Sequence, residues 1–149
     1  MAVYDSRCTP WTAFTPTGSW NTNVTYNGVW RRVGGNLEIN ARVLCSGLPN
    51  AANLIFNIPF GLVIDLTKLG SANTNNVEPL GITLGVDSGS QFYPGDVLFN
   101  TTTAVTCQPY KTDATYATNA TSYNNTNPFT FGANDEVSIE FKVPIVGWS

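Results

Sequence analysis

The stretch Trp30–Val43 constrains the fold most strongly, because it encodes two long strands around a tight turn. After the turn residues Gly34-Gly35-Asn36, apolar and polar residues alternate as far as Cys45. A period of two is typical of a strand that buries one face. Adjacent glycines supply the positive φ that a tight hairpin requires. The pattern predicts a β-hairpin over residues 22–33 and 36–46.

The first strand of this hairpin carries apolar residues on both faces. Val24, Tyr26 and Trp30 share one parity, whereas Val29 and Val33 share the other. Because each parity of a strand points to a different face, both faces need cover. This strand is therefore predicted to lie centrally in the sheet or at a subunit contact.

Several shorter patterns predict further strands. In the segment from Leu80 to Val86, the alternation runs cleanly through Ile82 and Leu84. The run Leu62–Leu66 fits either a strand or the start of a short helical turn. The remaining predicted strands are Leu54–Ile58, Gln91–Tyr93, Val97–Asn100, Thr102–Tyr110 and Glu136–Val143. About eight strands with no helical period predict an all-β, antiparallel jelly-roll-like sandwich.

The N-terminal residues differ from the rest of the chain. Residues 1–21 show no alternation and are predicted to form an extended arm, ahead of a β-sandwich domain at residues 22–149. Trp11, Phe14 and Trp20 are too apolar to remain in water. The arm is expected to dock either on its own domain or on a neighbouring subunit or particle surface.

Composition excludes several classes of function. Only 11% of the residues are charged and the net charge is −3, with seven Lys and Arg in total. A nucleic-acid surface needs clustered basic residues, so nucleic acid is not an expected partner. No apolar run of about 18 residues is present, so no membrane insertion is expected. The first residues also lack the pattern of a signal peptide.

The residue types needed for common catalytic and metal sites are missing. The chain has no histidine, so Ser-His and Cys-His nucleophile pairs cannot form. The three cysteines lack the C-x-x-C spacing of a zinc site, and no nucleotide-binding glycine motif occurs. We expect no catalytic residue, no metal and no cofactor. A pair of carboxylates that cleaves glycans, involving Asp65 or Asp135-Glu136, stays open.

The cysteines are expected to be thiols. Cys45 continues the apolar face of its strand, which predicts a buried thiol. Synthesis in a reducing cytoplasm favours three reduced cysteines. The alternative is a disulfide between Cys8 and Cys107.

A tyrosine-rich segment is the strongest candidate for ligand recognition. Residues 111–127 form the longest irregular stretch, and such loops are often functional. Rigid aromatic rings beside adaptable amides are typical of recognition surfaces. The alternative is that the tyrosines pack back on the sandwich. The candidate receptor-contact residues are Tyr110, Tyr116, Asn119, Tyr123 and Asn124.

Arg31 and Arg32 are adjacent in a strand and must therefore point to opposite faces. One interpretation is an intersubunit ion pair with Glu38 or Glu140. The other is an ordinary solvated rim of the hairpin.

Three short motifs at the start, middle and end of the chain resemble a module of bacteriophage virion appendages. They are W-x-x-x-T-P-T-G-x-W at Trp11–Trp20, W-R-R-V-G-x-x-L-E at Trp30–Glu38 and V-P-I-x-G-W-S at Val143–Ser149. The module is seen in small tail-fibre tips and head fibres. The resemblance covers nearly the whole chain and indicates a class of particle rather than a chemistry.

The resemblance implies a non-enzymatic virion protein, made in the host cytoplasm, that forms a homotrimeric knob. A short arm favours a capsid decoration or head-fibre knob, whereas a receptor-binding tail-fibre tip or lectin is the alternative. Expected partners are other copies, capsid or tail proteins, and a host surface glycan. Deleting residues 1–20 is expected to abolish particle binding but to leave a folded domain. The expected subunit or particle contacts are Trp11, Phe14, Trp20, Trp30, Arg31, Arg32, Ile145 and Trp148.

Overall fold

The computed structural model describes residues 7–70, 78–111, 118–119 and 121–149, and the described chain is all-β, as predicted. One short 3-10 turn spans Leu66–Lys68. The strands are β1 (Thr12–Phe14), β2 (Val24–Val33), β3 (Asn36–Cys45), β4 (Ile55–Asn57), β5 (Pro79–Asp87), β6 (Gln91–Thr101), β7 (Ala104–Lys111), β8 (Thr118–Asn119) and β9 (Glu136–Pro144).

These strands form a single antiparallel sheet with the order β1-β2-β3-β9-β5-β6-β7-β4, and β8 pairs with β7 off this path. The last long strand, β9, lies between β3 and β5, so the C-terminal part of the chain joins the two halves of the sheet. The sheet curls around one core. The jelly-roll arrangement and the trimer stay predictions.

The predicted hairpin is confirmed as β2 and β3. Arg31 lies opposite Glu38, and Val33 lies opposite Asn36, so Gly34 and Gly35 form the turn. Gly34 has φ +59°, a conformation that costs little without a Cβ atom.

The N-terminal segment joins the two ends of the curled sheet. β1 pairs with β2 at one end, and Gly18 then forms a bridge with Phe56 of β4 at the other. The Ser19 N–H donates to the Ile55 carbonyl at 2.9 Å. A Cβ atom at position 18 would collide with the Ile55 carbonyl and the Tyr26 hydroxyl, so only glycine fits this close approach.

The core lies inside the curl and is built from the inward face of each strand. Phe56 and Phe141 contact edge to face, with ring centroids 5.6 Å apart. The largest fully buried side chains are Trp20, Tyr123, Phe56, Phe131, Leu37, Ile39, Leu54, Ile64, Ile139, Ile145, Val43 and Val97. Burying a side chain of this size contributes about 1.5–3 kcal/mol.

Two predicted elements differ from the structure. The run Leu62–Leu66 is not a regular strand: Ile64 makes one isolated bridge, and Asp65 caps the 3-10 turn that follows. Residues 91–101 form one strand rather than two, because Gly95 does not break it. A Cβ atom at Gly95 would collide with the Gln108 carbonyl, so the glycine permits close strand approach instead.

Candidate subunit-contact surface

An aromatic cluster lies where the hairpin meets the loop after β4. Trp30 is half-buried on the inward face of β2, and its ring centroid lies 5.1 Å from that of Phe60. Phe14 of β1 lies 5.7 Å from Phe60 on another side. Phe60 itself is 58% exposed, so a large aromatic ring is held at the surface by two others.

The backbone at Phe60 explains why this ring points outward. Phe60 has φ +62° and Gly61 has φ +66°. Two consecutive left-handed residues turn the chain sharply after Pro59 and leave Phe60 at the tip. A bulky residue in this conformation costs on the order of 1 kcal/mol or more, and such strain tends to persist at functional sites.

The C-terminal segment extends this apolar region. The Arg32 guanidinium lies 4.5 Å from the centre of the Trp148 ring. The Val146 N–H donates to the Val63 carbonyl at 2.9 Å, and both side chains are exposed. We call this region the aromatic surface, and its members are Phe14, Trp30, Phe60, Val63, Val146 and Trp148.

The charges beside the aromatic surface have a small positive balance. The Lys68 ammonium donates to the Trp148 carbonyl at 3.0 Å and lies 3.7 Å from the Asp65 carboxylate. Hydrogen bonds from Thr67 and the nearby Lys68 charge hold the pKa of Asp65 below its usual value. Arg32, Lys68 and Asp65 together leave one positive charge on the rim of an apolar surface.

Arg31 and Arg32 do point to opposite faces, and each stacks on a tryptophan. Arg31 lies 4.6 Å from the centre of the Trp11 ring and donates from Nε to the Glu38 carboxylate at 2.6 Å. The pair joins neighbouring strands of the same chain, so the interpretation of an intersubunit ion pair is wrong for Arg31 and Glu38. Arg32 donates from Nε to the Gly34 carbonyl at 2.8 Å.

Two of the predicted contact residues are not at the surface. Trp20 is fully buried, and its indole N–H donates to the Ala52 carbonyl at 2.8 Å. Ile145 is 1% exposed and forms a bridge with Ile64. Both predictions of a subunit contact are therefore wrong, because these side chains fill the chain's own core.

The predicted receptor residues do not form one surface. Tyr123 is fully buried, and its hydroxyl donates to the Tyr93 carbonyl at 2.7 Å, so this prediction is wrong. Burial raises the pKa of Tyr123 to about 12. Tyr110 is exposed but donates to the Asp96 carboxylate at 2.6 Å, which raises the pKa of Tyr110.

The other candidate receptor residues do not form a shared binding site in the described part of the chain. The Asn124 side chain accepts hydrogen bonds from Thr126 and so closes a local turn. Asn119 pairs through its backbone with Tyr110. Tyr116 lies outside the described residues.

The structure also reveals a cleft on the outer face of the sheet that the sequence did not predict. It has a volume of about 450 Å³ and lies between Trp11 and β9. Among its lining residues, Asn40, Glu140 and Lys142 have side chains without a hydrogen bond or ion pair to any described residue. An aromatic ring beside uncommitted polar groups on rigid strands is suited to a polar ligand.

A second unpredicted feature is an apolar strip on the outer face of β5 and β6. Val86 lies opposite Phe92, and Leu84 lies opposite Pro94, so the four side chains share one face. Phe92 is 70% exposed and Leu84 is 36% exposed. We call Leu84, Val86, Phe92 and Pro94 the apolar strip. Alternation along Leu80–Val86 signalled a strand, but it could not show that the apolar face is the outer one.

Neither metal nor membrane features stand out in the described residues. No group of three or more potential metal ligands occurs among them, and none of their helices is long and apolar enough to cross a membrane.

Cys45 and Cys107 are buried thiols, as predicted for Cys45, whereas Cys8 is exposed. Burial raises the pKa of Cys107 to about 12.

Comparisons with protein-family models, with curated proteins and with solved structures found no match to this chain.

Proposed function

We propose that this chain is a non-enzymatic structural protein of a phage virion, a knob that decorates the capsid or tips a head fibre. In this proposal the knob is a homotrimer exposed on the particle, and the aromatic surface forms its subunit contact. Its role is mechanical and adhesive rather than chemical.

The observation that carries this proposal is the convergence of the three motifs that resemble phage appendages. The hairpin motif contacts the N-terminal motif through Arg31 and Trp11. It contacts the C-terminal motif through Arg32 and Trp148, and the Ile145 N–H donates to the Gly35 carbonyl at 3.0 Å. Segments more than 100 residues apart thus build one end of the molecule, where the aromatic surface lies.

Exposed aromatic residues at this end support self-association. Contiguous apolar surface is rarely left in water unless it mediates an interaction. Aromatic and arginine side chains are also enriched among the residues that dominate interface energies. Phe60, Trp30 and Arg32 provide both types of side chain within one surface.

The first test is the solution mass of the wild-type chain by light scattering at several concentrations. We expect a mass near three times 16.1 kDa. Phe60→Asn should shift the mass toward that of one chain, because it removes the protruding ring, and central interface aromatics commonly contribute 2 kcal/mol or more. Asparagine tolerates the positive φ at this position, so the fold should survive.

Leu48→Asn is the matched control, because Leu48 is 47% exposed and lies beyond the opposite end of β3. This variant should keep the wild-type mass. A wild-type chain that stays monomeric at every concentration would overturn the trimeric knob. A Phe60→Asn chain with unchanged mass would exclude the aromatic surface as the contact.

The cleft between Trp11 and β9 favours a second candidate function, a glycan-binding tip. Sugars stack their C–H faces on aromatic rings and bind carboxylates and amides through their hydroxyl groups. The cleft offers Trp11, Asn40 and Glu140 for these contacts. A cleft on rigid strands is a better candidate for such a ligand than the tyrosine-rich segment.

Binding to an array of bacterial surface glycans tests this second function. We expect any glycan binding to fall at least tenfold in Trp11→Ala, because the stacking platform is lost. Tyr110→Phe should bind as the wild type does. Loss in Tyr110→Phe with retention in Trp11→Ala would instead place the site at the tyrosine-rich segment, and an array with no bound glycan would reject this function.

A further inference from the structure

The apolar strip is exposed because the core occupies the other face of β5. Thr83 and Gly85 point inward, and a Cβ atom at Gly85 would lie 2.7 Å from the Tyr123 ring. The buried Tyr123 ring therefore requires small inward residues on this strand. The large apolar side chains of β5 are left on the outer face, beside Phe92 and Pro94 of β6.

A strand face of this kind is an unusual outer surface. Outward positions of an antiparallel sheet are normally polar when they face water. On the neighbouring strand β9 the outward residues are polar, with Ser138 opposite Leu84 and Glu136 opposite Val86. The apolar strip is thus a local exception with a polar border on the side of β9, as expected of a contact surface.

The chain therefore carries two exposed apolar surfaces of different shape. The aromatic surface presents the protruding ring of Phe60, whereas the apolar strip is a flat face on two strands. A two-fold dimer brings the same surface of both copies together. A three-fold ring instead joins one surface of each copy to a different surface of the next. Two unlike surfaces on one chain match the second arrangement.

The charges around the two surfaces have opposite signs. Glu136 and Glu140 of β9 and Asp96 of β6 lie on the same outer face as the apolar strip, and Arg42 of β3 pairs with Glu136 at 3.4 Å. Lys142 lies further along β9 than Glu140. The strip therefore has a negative border. Complementary borders of this kind favour the correct partner and register.

The aromatic surface supplies the positive border, through Arg32 on the Trp148 ring and through Lys68. From shape, symmetry and charge together, we propose that the aromatic surface of one copy docks on the apolar strip of the next copy in a head-to-tail contact. Phe60 packs on Leu84 and Phe92 in this contact. The proposal rests on the self-association proposed above and specifies which surface each copy contributes.

Two variants that each damage one surface test this contact. Phe60→Asn damages the aromatic surface, and Phe92→Thr damages the apolar strip with a residue that suits a strand. Each variant alone should have the mass of one chain by light scattering, with circular dichroism and thermal unfolding close to wild type. Leu48→Asn again serves as the control that keeps the wild-type mass.

Mixing the two variants gives the decisive result. The Phe92→Thr chain keeps an intact aromatic surface and the Phe60→Asn chain keeps an intact apolar strip, so one good contact can form between them. We expect a labelled Phe60→Asn chain to bind Phe92→Thr saturably, giving a mass near twice 16.1 kDa and at least tenfold tighter binding than either self-titration.

The other outcomes separate the two proposals. A Phe92→Thr chain that assembles as the wild type does would overturn the role of the apolar strip. Two monomeric variants that do not bind each other would overturn the head-to-tail contact. A monomeric wild-type chain would reject self-association itself, and with it the proposed trimeric knob.

Discussion

Tyr123 is a buried residue whose hydroxyl and ring contact several other segments of the core. Its hydroxyl accepts from the Gly85 N–H at 3.1 Å and donates to the Tyr93 carbonyl at 2.7 Å. Its ring contacts Phe131 edge to face, with centroids 6.4 Å apart. A buried tyrosine needs such partners because an unsatisfied hydroxyl in a core is costly. In this protein the same ring also decides which face of β5 can hold large side chains.

We predict that Tyr123→Phe destabilises the fold by about 1–3 kcal/mol at neutral pH, because buried hydrogen-bond partners lose their hydroxyl. Denaturant unfolding measures this change. Tyr110→Phe, at an exposed tyrosine, should change the free energy of unfolding by less than about 0.5 kcal/mol. Equal effects of the two substitutions would contradict the buried hydrogen bonds of Tyr123.

The same variant has a distinct pH dependence. Burial raises the pKa of Tyr123 to about 12 from its ordinary value of 10.0. The folded state therefore keeps a proton that the unfolded state releases, so stability falls as pH rises from about 10 toward 12. Tyr123→Phe should show a shallower alkaline loss of stability than the wild type. An unchanged slope would mean that this tyrosine does not stay protonated in the folded state.

At the scale of elements, residues 12–20 of the N-terminal segment dock on their own domain, which is one of the two expected arrangements, and take part in its sheet. β1 extends the sheet beyond β2, and the bridge between Gly18 and Phe56 reaches β4 at its other end. Trp20 then enters the core and packs against Phe131, with ring centroids 5.1 Å apart. The apolar residues of the segment are buried by its own chain at Trp20 and remain half-buried or exposed at Phe14 and Trp11.

We therefore revise the expected effect of deleting residues 1–20. Loss of Trp20 alone should cost about 3–5 kcal/mol, and the closing hydrogen bonds of the segment are lost with it. Because domains are commonly stable by only about 5–15 kcal/mol, the shortened chain should be largely unfolded. Circular dichroism and thermal unfolding measure this outcome.

Thr15→Ala is the control within the segment, since the Thr15 side chain is exposed and all the contacts described for Trp11, Gly18 and Trp20 remain. This variant should unfold close to the temperature of the wild type. A folded, cooperative product from the 1–20 deletion would show that the segment is dispensable for folding, and would return it to the role of an anchor.

The strands themselves could be predicted where side-chain pattern and turn chemistry agreed. β3 and β9 alternate cleanly, and the turn at Gly34-Gly35 can adopt only a few conformations. β6 was harder to predict, because Pro94 and Gly95 usually end strands. Gly95 fits within β6 because β7 approaches it too closely to leave room for a Cβ atom, and this is a tertiary contact.

For the whole molecule, the order of strands in the sheet could not be predicted from local sequence patterns. The position of β9 between β3 and β5 joins residues separated by about 100 positions in sequence, as in the pairing of Ala41 with Ile139. The same placement brings the C-terminal motif beside the hairpin turn. The aromatic surface consequently exists only in the folded chain, although Trp30 and Trp148 were both expected at a contact.

The sequence by itself determined the all-β class, the central hairpin, the burial of Cys45 and the opposed directions of Arg31 and Arg32, because these follow from a period of two. Only the tertiary structure decided which face of β5 is covered and that Phe60 stands at the surface. Alternation identifies the side chains that share a face, but whether that face is buried depends on what packs against it. Here the ring of Tyr123, from a distant segment, packs against the inward face of β5 and leaves room only for small residues there.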